Sequence, residues 1–211
     1  MYDQGQVGSC TANALAAVVE FEQARQRLPS FSPSCTSRLY IYWYERALEG
    51  TTAQDCGAML CDGIKALANY GVPREIYWAY DAADVCVEPP EAARAATVVH
   101  KALKYLAVPQ DLHTLKAVIA SGQPFVFSAY DSFEGDAVAR TGVLPMPGQD
   151  EAIVGGYAVV GVGYDDQRQV FLFGTPGGRI GGTGGLLDAL FLPDQPDLAS
   201  DFWVISLVGA G

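Results

Sequence analysis

The chain of 211 residues has few of the features that mark membrane, secreted or nucleic-acid-binding proteins. It has no run of about 18 apolar residues, so we expect no membrane-spanning helix and no membrane partner. Met1 to Gln4 carry neither the basic start nor the apolar core of a signal peptide, and we therefore expect a cytoplasmic protein. Clusters of lysine and arginine are absent and the net charge is −11, which argues against nucleic acid as a partner because phosphates would be repelled.

Histidine is scarce, since His100 and His113 are the only two. Five cysteines are an odd number for a disulfide framework, and only Cys56 and Cys61 lie close together, with no histidine near them. A zinc site would have to be rich in thiolates, so we expect no metal ion and no cofactor. Reduced thiols are the simpler interpretation, and they agree with a cytoplasmic location.

The remaining composition is that of a folded globule, with 50% apolar and 18% charged residues. Helical patterns dominate the first half, and residues rich in β-branched and aromatic side chains follow in the second. The predicted helices are 11–27, 38–48, 57–70, 90–95 and 111–120, and the predicted strands are 125–130, 157–164, 169–173 and 201–207. The segregated order predicts an α+β fold with a helical lobe at 1–108 and an antiparallel β lobe at 109–211.

One motif near the start of the chain has the residues of a nucleophilic site. The segment from Gln4 to Cys10 reads Gln-Gly-Gln-Val-Gly-Ser-Cys and ends where the first predicted helix begins. A cysteine there feels the positive end of the helix dipole, which lowers the pKa of its thiol. Gly8 and Ser9 keep the approach to it narrow. The alternative is that Cys10 is a small buried residue and Gln4 a structural amide.

This motif resembles the nucleophile region of the papain-like cysteine peptidases, and of their compact bacterial branch in particular. Other segments match the family in the same order: Gly57 to Met59 resembles its substrate-cleft loop, Tyr77 to Asp81 its Tyr-Pro-Tyr stretch, and Leu198 to Trp203 its closing strand. The resemblance covers almost the whole chain. It implies a two-lobe papain-like α+β fold whose β lobe is antiparallel and barrel-like.

The resemblance also implies roles for individual residues. Gln4 would act with the backbone N–H of Cys10 as the oxyanion hole, which stabilises the charge on an attacked carbonyl oxygen. Gly57, Ala58 and Gly156 would line the substrate cleft together with the glycine and serine before the nucleophile. Cys56 lies near a family disulfide position, but Val7 replaces the usual partner.

The resemblance breaks at the catalytic base. The family pairs its thiol with a histidine that an asparagine orients. Tyr157 stands at the histidine position, in the run Gly-Gly-Tyr-Ala-Val, while Gly174 and Pro176 replace the asparagine and the tryptophan that shields it. His100 and His113 lie elsewhere and are not expected to substitute. Tyr157 is either a hydrogen-bond donor or acid opposite Cys10, or an aromatic ring that plugs the cleft.

Three functions fit these features. The first is cysteine-dependent acyl chemistry without the peptidase dyad, which suits a thioester because the leaving thiol needs little protonation. Its substrate would be a small acyl or thioester compound, free or bound to a carrier protein. The second is a catalytically dead pseudopeptidase that binds a peptide or protein, and the third is a residual cysteine peptidase.

Overall fold

The computed structural model describes residues 2–28, 36–99, 101–131, 143–144, 155–174, 186–190 and 198–209. The chain divides into two compact units. The helical unit comprises Tyr2–Leu106 and Ile205–Gly211, and the β unit comprises Ala107–Val204. Among the described residues, no helix is long and apolar enough to span a membrane.

The described part of the helical unit is built from four α-helices. They are α1 (Cys10–Arg25), α2 (Arg38–Glu49), α3 (Leu60–Asn69) and α4 (Glu91–Ala95). Helix α1 is buried on nearly all sides because alanine, valine and leucine recur along its whole circumference, which is typical of a helix inside a core. Both α2 and α3 pack against it and against each other. Gly50 ends α2 in the left-handed conformation, at φ 74°, that glycine adopts without strain.

Strand β1 (Lys101–Ala107) also belongs to this unit, where the sequence predicts only a connection. Its run Lys-Ala-Leu-Lys-Tyr-Leu-Ala lacks β-branched residues, so its intrinsic strand signal is weak. It gains its structure from its neighbour in the sheet, β7 (Ala199–Gly209).

The β unit, as far as the structure describes it, contains one helix, α5 (Leu112–Ala120), and most of the sheet. Its strands are β2 (Phe125–Asp131), β3 (Val143–Leu144), β4 (Gly155–Asp165), β5 (Val170–Gly174), β6 (Leu186–Leu190) and β7, which runs across the boundary with the helical unit. They lie in the order β7-β2-β4-β5-β6-β3. The pairs β2–β4, β2–β7, β4–β5 and β5–β6 are antiparallel, whereas β3 and β6 form a two-residue parallel pair that the sequence did not predict.

Phenylalanines fill the core of the β unit. Alternate residues of β2 and β5 point to one face of the sheet, which brings Phe127 against Phe173 and Phe125 against Phe171. Phe202 of β7 stacks on Phe127 with 4.8 Å between ring centroids, and Leu115 of α5 joins the same cluster. The α+β class predicted from the sequence is thus confirmed.

Candidate active site

Cys10 is the first residue of α1, at the helix start that the sequence predicts, and Ser9 occupies the N-cap position. The Cys10 side chain is half-buried, so its thiol is neither sealed in the core nor fully solvated. The first turn of α1 has no acidic residue. No carboxylate within that turn therefore offsets the partial positive charge at the start of the helix.

Ser9 anchors the start of α1 by hydrogen bonds to neighbouring side chains. It is completely buried, and its Oγ lies 2.6 Å from the Tyr80 hydroxyl and accepts a hydrogen bond from Asn13 Nδ2 at 3.0 Å. Its contact with substrate stays a prediction, and the side chain itself faces the interior of the helical unit. Burial raises the pKa of the Tyr80 phenol, which keeps it a neutral hydrogen-bonding group.

Gln4 belongs to a turn that precedes the nucleophile. Its Nε2 donates to the carbonyl oxygen of Val7 at 3.1 Å, and the Val7 N–H donates back to the Gln4 carbonyl at 3.3 Å. Tyr80 donates to the same carbonyl of Gln4 at 2.9 Å. These bonds fix the Gln4 backbone and orient its amide, while its role as the oxyanion donor stays a prediction.

Arg38 ties this segment to the scaffold, a role that the sequence did not reveal. Its guanidinium donates to the Asp3 carbonyl at 2.9 Å and to Asn13 Oδ1 at 3.1 Å, and it forms an ion pair with Glu75 at 2.8 Å. It also lies 3.9 Å above the centroid of the Tyr80 ring, within range of a cation–π contact. Arg38 therefore joins the chain before Cys10 to the base of α1 and α2.

The predicted cleft residues Gly8 and Gly57 lie side by side. A side chain placed on Gly8 would have its Cβ only 3.3 Å from the Gly57 nitrogen. Gly57 has φ 79°, a left-handed conformation that favours glycine, and Ala58 after it is half-buried. The next residue, Met59, exposes 59% of its surface, and sequence reasoning did not single it out beyond its place in the cleft loop.

A buried carboxyl group lies beneath the start of α1. Glu45 of α2 is completely buried, and its Oε2 accepts a hydrogen bond from Thr11 Oγ1 at 2.8 Å. Its other oxygen, Oε1, has no hydrogen-bond partner among the described residues. Burial raises the pKa of this carboxyl group to about 8, so it is mostly protonated at neutral pH. Nothing in the sequence pattern pointed to this residue.

Tyr157 lies on β4 in the β unit, paired with Ala129 of β2. Its side chain is half-buried and packs against the phenylalanine core, and Gly156 beside it is exposed. Gly174, which the sequence predicts at the position of the family's asparagine, ends β5 opposite Val160. His113 is exposed on α5, whereas His100 and Pro176 lie outside the described residues.

The described cysteines Cys10, Cys56, Cys61 and Cys86 carry thiols, and Cys35 lies outside the described part of the chain. Within that part, no group of three or more histidine, cysteine, aspartate and glutamate side chains is arranged to hold a metal ion.

Comparison with known proteins identifies the family. The chain is 36% identical to an uncharacterized peptidase C1-like protein of Acanthamoeba polyphaga mimivirus, over 98% of this chain and 69% of the viral protein. Its sequence is also 36% identical to that of xylellain, a cysteine protease from Xylella fastidiosa. The crystal structure of xylellain matches this structure with a TM-score of 0.88, over 97% of this chain and 81% of that one. Digestive procathepsin L 3 of Tenebrio molitor, at 18% identity and a TM-score of 0.73 over 98% of this chain and 66% of that one, shares the fold. No family model matches the chain.

The chain therefore belongs to the papain-like cysteine peptidase family, as its motifs predicted.

Proposed function

We propose that the protein uses Cys10 as a nucleophile in acyl chemistry on a thioester or another activated acyl compound, and that it does not cleave ordinary peptides. The proposal rests on what the chain retains and what it lacks. Cys10 stands at the start of α1 with a half-buried thiol. The family's histidine and asparagine positions hold Tyr157 and Gly174.

The observation that supports retained chemistry is how firmly the segment before Cys10 is held. Tyr80, Arg38 and Asn13 bond to it from the scaffold, through Gln4, Asp3 and Ser9 respectively. A thiol kept as a mere packing residue would be buried and would need no such support. Backbone N–H groups at a helix start instead suit the stabilisation of a negative charge.

The chemistry of a thioester explains how the site can work without histidine. The Cys10 thiolate attacks the carbonyl carbon, and the negative charge that develops on oxygen is stabilised by the Cys10 N–H and the Gln4 amide. Collapse of this intermediate breaks the bond to the leaving sulfur, which departs as a thiolate because thiol pKa values are near 8.5. An amine nitrogen is far more basic and leaves only when protonated, a step that histidine performs in peptidases.

The first test is covalent acylation. Incubation with a short-chain acyl N-acetylcysteamine thioester should add one acyl group to the peptide that contains Cys10, as detected by mass spectrometry, and Cys10→Ala should remove the adduct. Tyr157→Phe should slow turnover of the acyl-enzyme if the phenol donates a proton, and leave it unchanged if the ring only fills space. Equal labelling of Cys10 and the exposed Cys86 would contradict the proposal, because it would show no activation of Cys10.

Ordinary endopeptidase activity is expected to be absent. Without a histidine the leaving amine is not protonated, so unstructured peptide substrates should remain intact over hours at neutral pH. The measurement is cleavage of a denatured protein followed by mass spectrometry, with Cys10→Ala as the control for contaminating proteases. Robust cleavage that depends on Cys10 would establish a residual peptidase instead.

A second candidate function is a pseudopeptidase that binds peptides. The departures at Tyr157 and Gly174 favour it, because both residues of the family that serve the thiol are replaced together. In that case an extended peptide should bind equally well to the protein and to Cys10→Ala, with no acylation by thioesters. Calorimetric titration of both proteins separates the two functions.

A further inference from the structure

We propose that Asp55 and Tyr42 are positioning residues for Cys10, which hold the backbone of Gly8 against the loop at Gly57. The inference deepens the proposed function, since it assumes that Cys10 is the group whose placement matters. We call Gly8, Asp55, Tyr42 and Gly57 together the Gly8 clasp.

The four residues of the Gly8 clasp are joined by a continuous set of hydrogen bonds. The Gly8 N–H donates to both carboxylate oxygens of Asp55, at 3.0 and 3.2 Å. The Tyr42 hydroxyl donates to Asp55 Oδ1 at 2.5 Å and accepts from the Gly57 N–H at 3.0 Å. One carboxylate and one phenol thus satisfy a backbone donor on each of two segments that are far apart in the sequence.

The two supporting side chains differ in their surroundings. Tyr42 of α2 is completely buried, and the guanidinium carbon of Arg46 lies 4.0 Å from the centroid of its ring. This packing holds the Tyr42 side chain in one position. Burial, together with the hydrogen bond to Asp55, raises the pKa of its phenol, which therefore keeps its proton as a donor. Asp55 is exposed, and within the clasp its carboxylate is held by the Tyr42 hydroxyl and the Gly8 N–H.

The clasp leaves little space at Gly8. A Cβ on this residue would lie 3.1 Å from Asp55 Oδ1, 3.3 Å from the Gly57 nitrogen and 3.4 Å from the Tyr42 hydroxyl. The first two distances are tighter than ordinary van der Waals contacts, so a side chain here would push its neighbours aside by a few tenths of an ångström. The close approach of the two segments therefore favours glycine, which gives the family-like Gly-Ser-Cys run a physical reason in this chain.

The position of Gly8 bears directly on Cys10. Ser9 between them is held from the interior by Tyr80 and Asn13, so the clasp is the restraint on the opposite, exposed side of the same short segment. A hydrogen bond to a carboxylate is about twice as strong as a neutral one. Loss of the clasp should let the Gly8–Ser9 peptide rotate and carry the Cys10 N–H and thiol away from their present orientation.

A purely electrostatic role of Asp55 makes the opposite prediction. A negative charge near a thiol raises its pKa, so removal of Asp55 would then make Cys10 react faster below its pKa. Positioning instead predicts a slower reaction of the fully ionised thiol without a lowered pKa of Cys10. Because a thiolate of lower pKa is also a weaker nucleophile, the plateau rate and the pKa of Cys10 together separate the two roles.

The experiment measures alkylation of Cys10 by iodoacetamide across pH in the full chain, together with hydrogen exchange of the Gly8 amide. We expect Asp55→Ala and Tyr42→Phe to expose the Gly8 amide to exchange and to lower the plateau rate at Cys10 by about tenfold, the scale of effect that misplacement of a reacting group produces. Cys86 is the exposed reference thiol. Cys56 is unsuitable because it adjoins Asp55.

Matched controls are Asp62→Asn, which breaks an exposed ion pair with Lys65, and Tyr44→Phe, on the same helix as Tyr42 and stacked on Tyr70. Neither should alter the plateau rate at Cys10. Should Asp55→Ala fail to fold, Tyr42→Phe still tests the clasp because it keeps the buried ring.

Three outcomes would contradict the positioning role of Asp55 and Tyr42. They are an unprotected Gly8 amide in the parent protein, faster exchange of this amide in the variants with an unchanged plateau rate of alkylation, and a higher plateau rate without Asp55. Because alkylation needs no acyl substrate, slower alkylation in both variants supports the clasp even if no thioester acylates Cys10. Conversely, acylation of the parent protein together with unchanged alkylation rates in the variants would support the proposed function and contradict the positioning role of Asp55 and Tyr42.

Discussion

Gly63→Ala is expected to destabilise the protein by about 2–3 kcal/mol, because α3 approaches α1 and α2 too closely at this residue to admit a methyl group. A Cβ there would lie 2.3 Å from Glu45 Oε1 and 2.3 Å from Leu15 Cδ1. Both neighbours are fully buried, so neither can move away without disturbing the core. Urea unfolding of the variant and the parent protein, followed by circular dichroism, gives the difference in unfolding free energy.

The control for this substitution is Gly155→Ala, at a glycine of β4 where an added methyl group would meet no atom of the described residues within 4 Å. It should change stability by less than about 0.5 kcal/mol, as is usual for exposed sites away from special backbone conformations. Equal stability of Gly63→Ala and the parent protein would show that the three helices leave room for a methyl group, contrary to the close packing inferred from these distances.

The structure also shows why some elements were predictable and others were not. The start of α1 and the strands β2, β4, β5 and β7 carry their signals locally, in helical periodicity or in runs of valine, phenylalanine and tyrosine. Helix α3 was predicted from residue 57 but begins at Leu60, because Gly57 is left-handed and Met59 is extended. The β6 run Leu-Leu-Asp-Ala-Leu lacks β-branched residues, and its structure comes from pairing with β5.

The candidate site likewise contains residues that the sequence identified and residues that it did not. Cys10 and Gly8 belong to one short motif, and the sequence alone identified them. Asp55 and Tyr42 reach that motif only through the fold, across long stretches of chain, and although Asp55 directly precedes the predicted cleft loop, no local pattern marked either residue. Contacts of this kind follow from the packing of helices, which a single sequence does not encode in any local pattern.

Two levels of evidence therefore bear on function. Membership of the papain-like family follows from similarity over nearly the whole chain. The reaction depends instead on the chemistry of single positions, and the proposed function rests on the expectation that Tyr157 and Gly174 take the places of the family's histidine and asparagine. What remains beside Cys10 is a scaffold that holds a helix start rigidly, and the buried carboxyl group of Glu45 is part of it.

The stability of the protein is expected to fall as pH rises from about 4.5 to about 8, because of Glu45. Its carboxyl group has a pKa of about 8 in the folded protein, against an ordinary value of 4.5, and the main cause is burial. In this interval the folded state binds a proton that the unfolded chain has released, so the unfolding free energy decreases by up to about 1.4 kcal/mol per pH unit. The contribution is complete below about pH 4.5 and is lost as pH passes the folded value.

Glu45→Gln should remove this slope, because an amide cannot ionise. Its side chain has the size of the parent residue, and its oxygen can still accept the hydrogen bond from Thr11. We expect the variant to gain about 3 kcal/mol relative to the parent protein between about pH 5 and pH 8. The measurement is urea unfolding of both proteins at several pH values, with Glu91→Gln, on the exposed side of α4, as a control that should keep the parent slope.

Parallel stability curves for Glu45→Gln and the parent protein would show that Glu45 is ionised in the fold at neutral pH, contrary to this expectation. That result would also alter the picture of the nucleophile. Thr11, which bonds to Glu45, directly follows Cys10. A charged Glu45 would place a negative charge at the positive end of α1 and raise the pKa of the Cys10 thiol. A neutral Glu45 adds no such charge at the helix start, which agrees with the proposed use of Cys10 as a nucleophile.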